Sequence, residues 1–152
     1  MPIKAKYVHT NIIAADWRLL AEFYIDVFDC TIVPPERNYK GKELDAGVSI
    51  SGAHLKGIHL RLPGWGESGP TLEIYSYNVQ EEKPKTAVNR PGFTHIAFEV
   101  DDVEAARKKV LASGGNKVGE IVTLTTSGGS NVTWCYLTDP EGNIIELQKW
   151  NK

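Results

Sequence analysis

Tyr7-Val8-His9-Thr10-Asn11-Ile12-Ile13-Ala14-Ala15-Asp16 and Phe93-Thr94-His95-Ile96-Ala97-Phe98-Glu99-Val100-Asp101-Asp102 are two copies of one pattern. With His9 laid on His95, 86 residues on, Asp16 falls on Asp102, and in both copies an alternating stretch runs into a helical one. A second match closes the copies. Gly69-Pro70-Thr71-Leu72-Glu73-Ile74 lies on Gly142-Asn143-Ile144-Ile145-Glu146-Leu147, 73 residues on. Glycine falls on glycine and glutamate on glutamate, and each copy ends on an aromatic followed by asparagine, Tyr77-Asn78 and Trp150-Asn151. The shorter second offset means that the first copy carries the longer middle.

Each copy reads as strand, helix, strand, strand, strand. Residues 7–14 alternate as a strand, Asp16 is placed to cap a helix, and Trp17, Leu20, Ala21, Tyr24, Val27 and Phe28 form its apolar stripe. A strand near 30–33 is expected to stop at Pro34-Pro35, followed by a long loop over 34–52. Strands resume at about 54–62 and 71–77, on either side of Pro63-Gly64-Trp65-Gly66. The second copy gives a strand at 93–100 and a helix at 102–112 with Val103, Ala106 and Val110 inward, ended by Ser113-Gly114-Gly115. Strands near 118–125, 131–138 and 143–150 follow, with turn signals at Ser127-Gly128-Gly129 and Asp139-Pro140-Glu141-Gly142. Residues 80–92, with their charges, two prolines and closing Gly92, read as a linker. Module 1 is then about 5–79 and module 2 about 93–151, both within a single domain over 1–152.

Bulk composition narrows the function. The 152 residues are 41% hydrophobic and 24% charged, as one folded domain requires. A net charge of −2 and scattered Lys and Arg, with only Arg107-Lys108-Lys109 clustered, argue against nucleic acid as a partner. No apolar run approaches the roughly 18 residues that span a bilayer. Met1-Pro2-Ile3-Lys4-Ala5-Lys6 has no apolar stretch behind its lysines, so no membrane partner is expected and the cytoplasm is the expected location. Cys30 and Cys135 lie far apart without CxxC spacing and read as packing residues. Gly114-Gly115 and Gly128-Gly129 lack phosphate-loop spacing and read as turns.

Strand parity places the remaining polar residues. Ile96, Phe98 and Val100 suit the face under the helix, which turns His95, Ala97 and Glu99 the other way. Leu72 and Ile74 oppose Glu73, Tyr75 and Tyr77. Ile145 and Leu147 oppose Glu146, Gln148 and Trp150, and Val8, Ile12 and Ala14 oppose Tyr7, His9, Asn11 and Ile13. Alone, His9 reads as a hydrogen-bonded rim residue and Glu73 as a partner of Arg61, since most ionisable strand residues face water. Recurrence changes that reading. Two imidazoles and two carboxylates at equivalent positions would repel or stay unpaired without a cation between them. His9, Glu73, His95 and Glu146 are therefore the expected ligands of one divalent metal ion, Ni, Co, Zn, Mn or Fe. His54 and His59 have no counterpart in the repeat, and His59 reads as a surface or helix-facing histidine.

At these residues the chain resembles the vicinal oxygen chelate superfamily, which includes glyoxalase I, methylmalonyl-CoA epimerase, extradiol dioxygenases and the fosfomycin- and bleomycin-resistance proteins. The resemblance covers nearly the whole chain and includes Leu137-Thr138-Asp139-Pro140-Glu141-Gly142-Asn143-Ile144-Ile145-Glu146, which looks like the family's terminal signature. It implies an α+β fold in which two βαβββ modules pair into a curved, barrel-like mixed sheet around a metal cavity. It also implies a homodimer, and one ligand from the first and last strand of each module. The order His, Glu, His, Glu resembles bacterial glyoxalase I. The epimerase pattern usually has Gln where this chain has Glu73. Position 13, where glyoxalase I usually carries an Arg that anchors glutathione, is Ile13.

The resemblance thus implies a glyoxalase I-like lyase or isomerase of a small carbonyl substrate, working by proton transfer through a metal-bound enediolate. Glu146, and after it Glu73, is the expected catalytic base. The alternatives are an epimerase of the methylmalonyl-CoA type, a dioxygenase, and a non-catalytic antibiotic-binding protein walled by Tyr75, Tyr77, Trp134 and Trp150.

Overall fold

The carboxylate of Asp16 accepts from the backbone N–H groups of Arg18 and Leu19 and so opens helix α1 (Trp17–Phe28). Leu20, Ala21, Phe23 and Tyr24 of that helix are buried. Phe23 lies outside the expected stripe and widens it, its ring meeting Tyr24 edge-on with centroids 5.1 Å apart. Asp102 repeats the cap in the second copy, accepting from the Ala105 N–H.

The computed structural model describes residues 1–151. They form two units, one ending at Glu82 and one beginning at Lys83. In the first, a four-stranded sheet runs in the order β1 (His9–Ile13), β4 (Thr71–Tyr77), β3 (His54–Arg61), β2 (Thr31–Lys40). β1 runs parallel to β4 and the other pairs are antiparallel, with α1 packed on β3 and β4. In the second, β5 (His95–Glu99), β9 (Ile144–Asn151), β8 (Asn131–Thr138) and β6 (Asn116–Lys117) stand in that order, and β7 (Val122–Thr125) also pairs with β8. Again the first strand is parallel to the last, and α3 (Val103–Ala112) packs on β8 and β9. The fold is α+β with both sheets open, so β1 and β5 are edge strands.

Burial follows the alternation. Leu20, Tyr24, Leu60, Leu72 and Ile74 in the first unit, and Val110, Leu137, Ile145 and Leu147 in the second, are almost wholly buried. Each such side chain contributes about 1.5–3 kcal/mol by leaving water. Cys30 and Cys135 are buried free thiols among them.

The structure corrects the expected loop over 34–52. β2 continues through Pro34-Pro35, joined by a cis bond, to Lys40, and α2 (Lys42–Val48) follows. β2 is an edge strand, where a proline's missing N–H deprives no inner neighbour, and a register shift between Val33 and Arg37 takes up the pair as a bulge. α2 buries no residue, so it leaves no apolar period to read. Asp45 within it accepts from the N–H groups of Gly52 and Ala53. The single strand expected at 118–125 is instead the short β6 and the separate β7, with Gly119 between them.

Residues 80–92 contain no helix or strand. Lys83 donates to the Asn143 side chain at 2.5 Å and Thr86 to the Gly142 carbonyl at 2.8 Å, so this stretch is tied to the turn between β8 and β9. In that turn the buried Asp139 accepts from the backbone of Glu141 and Asn143. Among the described residues no helix is long and apolar enough to cross a membrane.

Candidate functional site

On the face away from α1, three strands of the first unit converge on Glu73. Parallel register sets Asn11 of β1 beside Glu73 of β4, and antiparallel register sets His59 of β3 on its other side. Asn11 Nδ2 donates to Oε1 of Glu73 at 2.9 Å, and His9 Nε2 stands 3.5 Å from the same oxygen. His59 Nε2 lies 2.9 Å from Oε2 and 2.6 Å from the Tyr75 hydroxyl. The Nε2–H tautomer satisfies this group: the N–H is shared between carboxylate and phenol, and the phenol O–H turns onto Glu73. Burial lowers the His59 pKa from 6.5 and outweighs the opposing pull of Glu73, so the ring is neutral at neutral pH. Burial, and then the Glu73 carboxylate, push the Tyr75 phenol up, so it stays a donor.

In the second unit His95 opens β5, and its Nε2 lies 3.1 Å from Oε2 of Glu146. Ala97 stands beside Glu146 on one side and Tyr136 on the other. The Tyr136 ring tilts against His95 with centroids 4.9 Å apart and meets Trp134 edge-on at 4.8 Å. Burial, then Glu146, raises the Tyr136 phenol.

The structure thus brings His9 to Glu73 and His95 to Glu146, each pair on the first and last strand of its own unit. Two ligands on one cation, each about 2.0–2.2 Å from it and subtending about 90–109°, stand roughly 2.8–3.6 Å apart. The observed 3.5 and 3.1 Å fit that spacing, and neutral imidazole with carboxylate is a donor set for a divalent transition metal. Among the described residues no three His, Cys, Asp or Glu side chains surround a common point as a cation site.

His59 corrects the sequence reading: it faces neither α1 nor open solvent but sits directly across from Glu73. The signal was present in the apolar residues. Matching Leu60 to Leu72 and Ile58 to Ile74 sets the β3–β4 register, and that register places His59 on Glu73. Arg61, the partner considered for Glu73, lies opposite Thr71 and donates to the Gly69 carbonyl instead.

Comparison with known proteins agrees with this architecture. The chain is 29% identical over 141 residues to a lactoylglutathione lyase of Haemophilus influenzae, covering 92% of this chain and 89% of that one. It is 26% identical over 143 residues to a probable lactoylglutathione lyase of Vibrio parahaemolyticus, with 93% and 88% covered. A glyoxalase family protein of Bacillus cereus superposes with a TM-score of 0.76 at 17% identity, over 100% of this chain and 97% of the other, a likeness of fold. The sequence profile of one family matches residues 6–147, nearly the full length, and the chain belongs to that family, the Glyoxalase/Bleomycin resistance protein/Dioxygenase superfamily.

Proposed function

We propose that the protein is a divalent-metal-dependent lyase or isomerase of the glyoxalase I type, in which His9, Glu73, His95 and Glu146 are the four protein ligands of one cation. The observation that carries this reading is that each unit holds its His nitrogen and Glu oxygen at the spacing of two ligands on one ion, 3.5 and 3.1 Å. The similarity to lactoylglutathione lyases supports the same class of substrate, a small carbonyl compound with a neighbouring oxygen.

A divalent cation bound there supplies Lewis-acid polarisation of the substrate's adjacent oxygens. The chain's own part is proton transfer. Glu146 takes the proton from the carbon beside the carbonyl and returns it to the neighbouring carbon, which balances as an isomerisation with no external oxidant or reductant. Return to the same carbon from the other face gives epimerisation. Ile13 stands where glyoxalase I usually carries an Arg that anchors glutathione, which favours a thiol carrier other than glutathione. The protein is proposed to work as a homodimer. The edge strands β1 and β5, with Tyr7, Val8 and Phe93 exposed just before them, are surfaces that a partner would cover.

The test is elemental analysis after incubation with Ni, Co, Mn, Fe and Zn, followed by turnover of hemithioacetals formed from several thiols and of acyl-CoA epimers. About one metal ion per chain and turnover of a hemithioacetal are expected. A protein that takes up none of the five metals removes the reading.

A further inference from the structure

Glu73 and Glu146 are equivalents in the repeat, yet their surroundings differ. The place beside Glu73 on the first strand is Asn11, which donates to Oε1 at 2.9 Å; the same place beside Glu146 is Ala97, which has no donor. The place beside Glu73 on the antiparallel side is His59, with Nε2 2.9 Å from Oε2. Beside Glu146 that place is Tyr136, whose ring lies against His95. One glutamate is clamped through both oxygens by neighbouring strands, and the other is not.

A clamp of this kind suits one role and hinders another. A carboxylate bonded at both oxygens is held in one direction, while Oε1 keeps a lone pair on the side of His9. Such a group makes a good permanent ligand. It makes a poor proton carrier, because swinging towards a substrate carbon breaks bonds on both oxygens.

We propose that Asn11 and His59 are positioning residues that lock Glu73 as a permanent ligand and leave Glu146 as the carboxylate free to carry the proton, an inference that rests on the metal-dependent reading above. His59 acts through Glu73 and not on the substrate. Its own placement is built into the sheet, since Tyr75, two residues beyond Glu73, holds the same Nε2 at 2.6 Å.

The test loads the full-length protein with Co2+ and reads two signals, the visible absorption of the bound ion and its affinity in competition with a chromophoric chelator. Asn11→Ala and His59→Ala are each expected to weaken Co2+ binding by about 10–100-fold and to alter the absorption. His59→Gln, which keeps an N–H donor, is expected to recover most of the affinity. Asn11 is exposed, so Asn11→Ala decides the matter even if His59→Ala does not fold. If the wild type loads while Asn11→Ala and His59→Gln both bind with wild-type affinity and spectrum, and His59→Ala, where folded, does the same, the clamp is overturned and the metal reading stands. If the wild type takes up no Co2+ or any other of the five metals, the metal reading falls and the clamp with it.

Discussion

The ring of Tyr75 lies directly over Gly57, so close that a carbon added at that glycine would stand 2.2 Å from the ring and 2.1 Å from the Ile74 carbonyl. Gly57 and Tyr75 are cross-strand partners on the face that carries Glu73. The bare glycine lets the ring lie down across β3 and bring its hydroxyl to His59. Gly57→Ala is therefore expected to destabilise the protein by about 1–3 kcal/mol, the usual cost of overpacking, because the atoms it meets include backbone of both Ile74 and Tyr75. Urea unfolding of the two proteins measures this. Equal midpoints and slopes would mean that Tyr75 has other room to occupy.

Exchanging Glu146 for Gln separates ligand from base. A glutamine oxygen still coordinates but does not accept a proton at neutral pH. Glu146→Gln should retain metal by elemental analysis while turnover drops by about 10²–10⁴-fold, the usual loss for a general base. The reverse outcome, full activity in Glu146→Gln with loss in Glu73→Gln, moves the base to the first unit. If neither exchange matters while metal stays bound, proton transfer is the wrong chemistry.

His9→Ala and His95→Ala should act differently, lowering metal content itself. Each removes a nitrogen facing a glutamate oxygen, at 3.5 and 3.1 Å respectively. Dialysis against a known free Co2+ concentration, followed by elemental analysis, distinguishes lost metal from lost turnover. Undiminished metal in both variants would remove the two histidines from the ligand set.

Cys30 gives a pH prediction with a definite sign. Burial, with a smaller push from Asp29, raises its thiol from 9.0 to about 12. The folded state keeps the thiol neutral while the unfolded chain ionises, so this stabilisation is whole below pH 9 and is lost between pH 9 and 12. By pH 10 the loss is about 1.4 kcal/mol from this one group. Chemical unfolding at pH 8 and pH 10 should show a smaller drop in Cys30→Ala than in the wild type. Equal drops in both would place the titration elsewhere.

Light scattering at micromolar concentration checks the proposed homodimer and is expected to give about twice the 16.8 kDa chain mass. A purely monomeric solution would leave the exposed Tyr7, Val8 and Phe93 needing another explanation.

The features legible in the sequence were those carried by strong local signals. Asp16 and Asp102 cap their helices as read, and alternation placed Glu73 and Glu146 on the polar faces of β4 and β9. What escaped was set by partners distant in the chain. His59 alternates correctly with Ile58 and Leu60, but its meaning depends on what lies across the sheet. Asn11 looked like one polar residue among others until parallel pairing set it beside Glu73. The second half of β2 and the exposed α2 bury too little to leave a period, so prolines and charges made them read as a loop.

The parallel pairing of β1 with β4 has a consequence for how the chain acquires its chemistry. Asn11 and Glu73 meet although they lie 62 positions apart in the chain, and no tight turn can join parallel strands. During synthesis β1 has no partner until the last strand of its unit has emerged, so a half-made unit holds His9 with nothing to face. Closure of so long a segment is slow compared with forming a helix or a hairpin. An ion held between the first and last strands would act as a latch on that late step, favouring the closed unit and slowing its reopening.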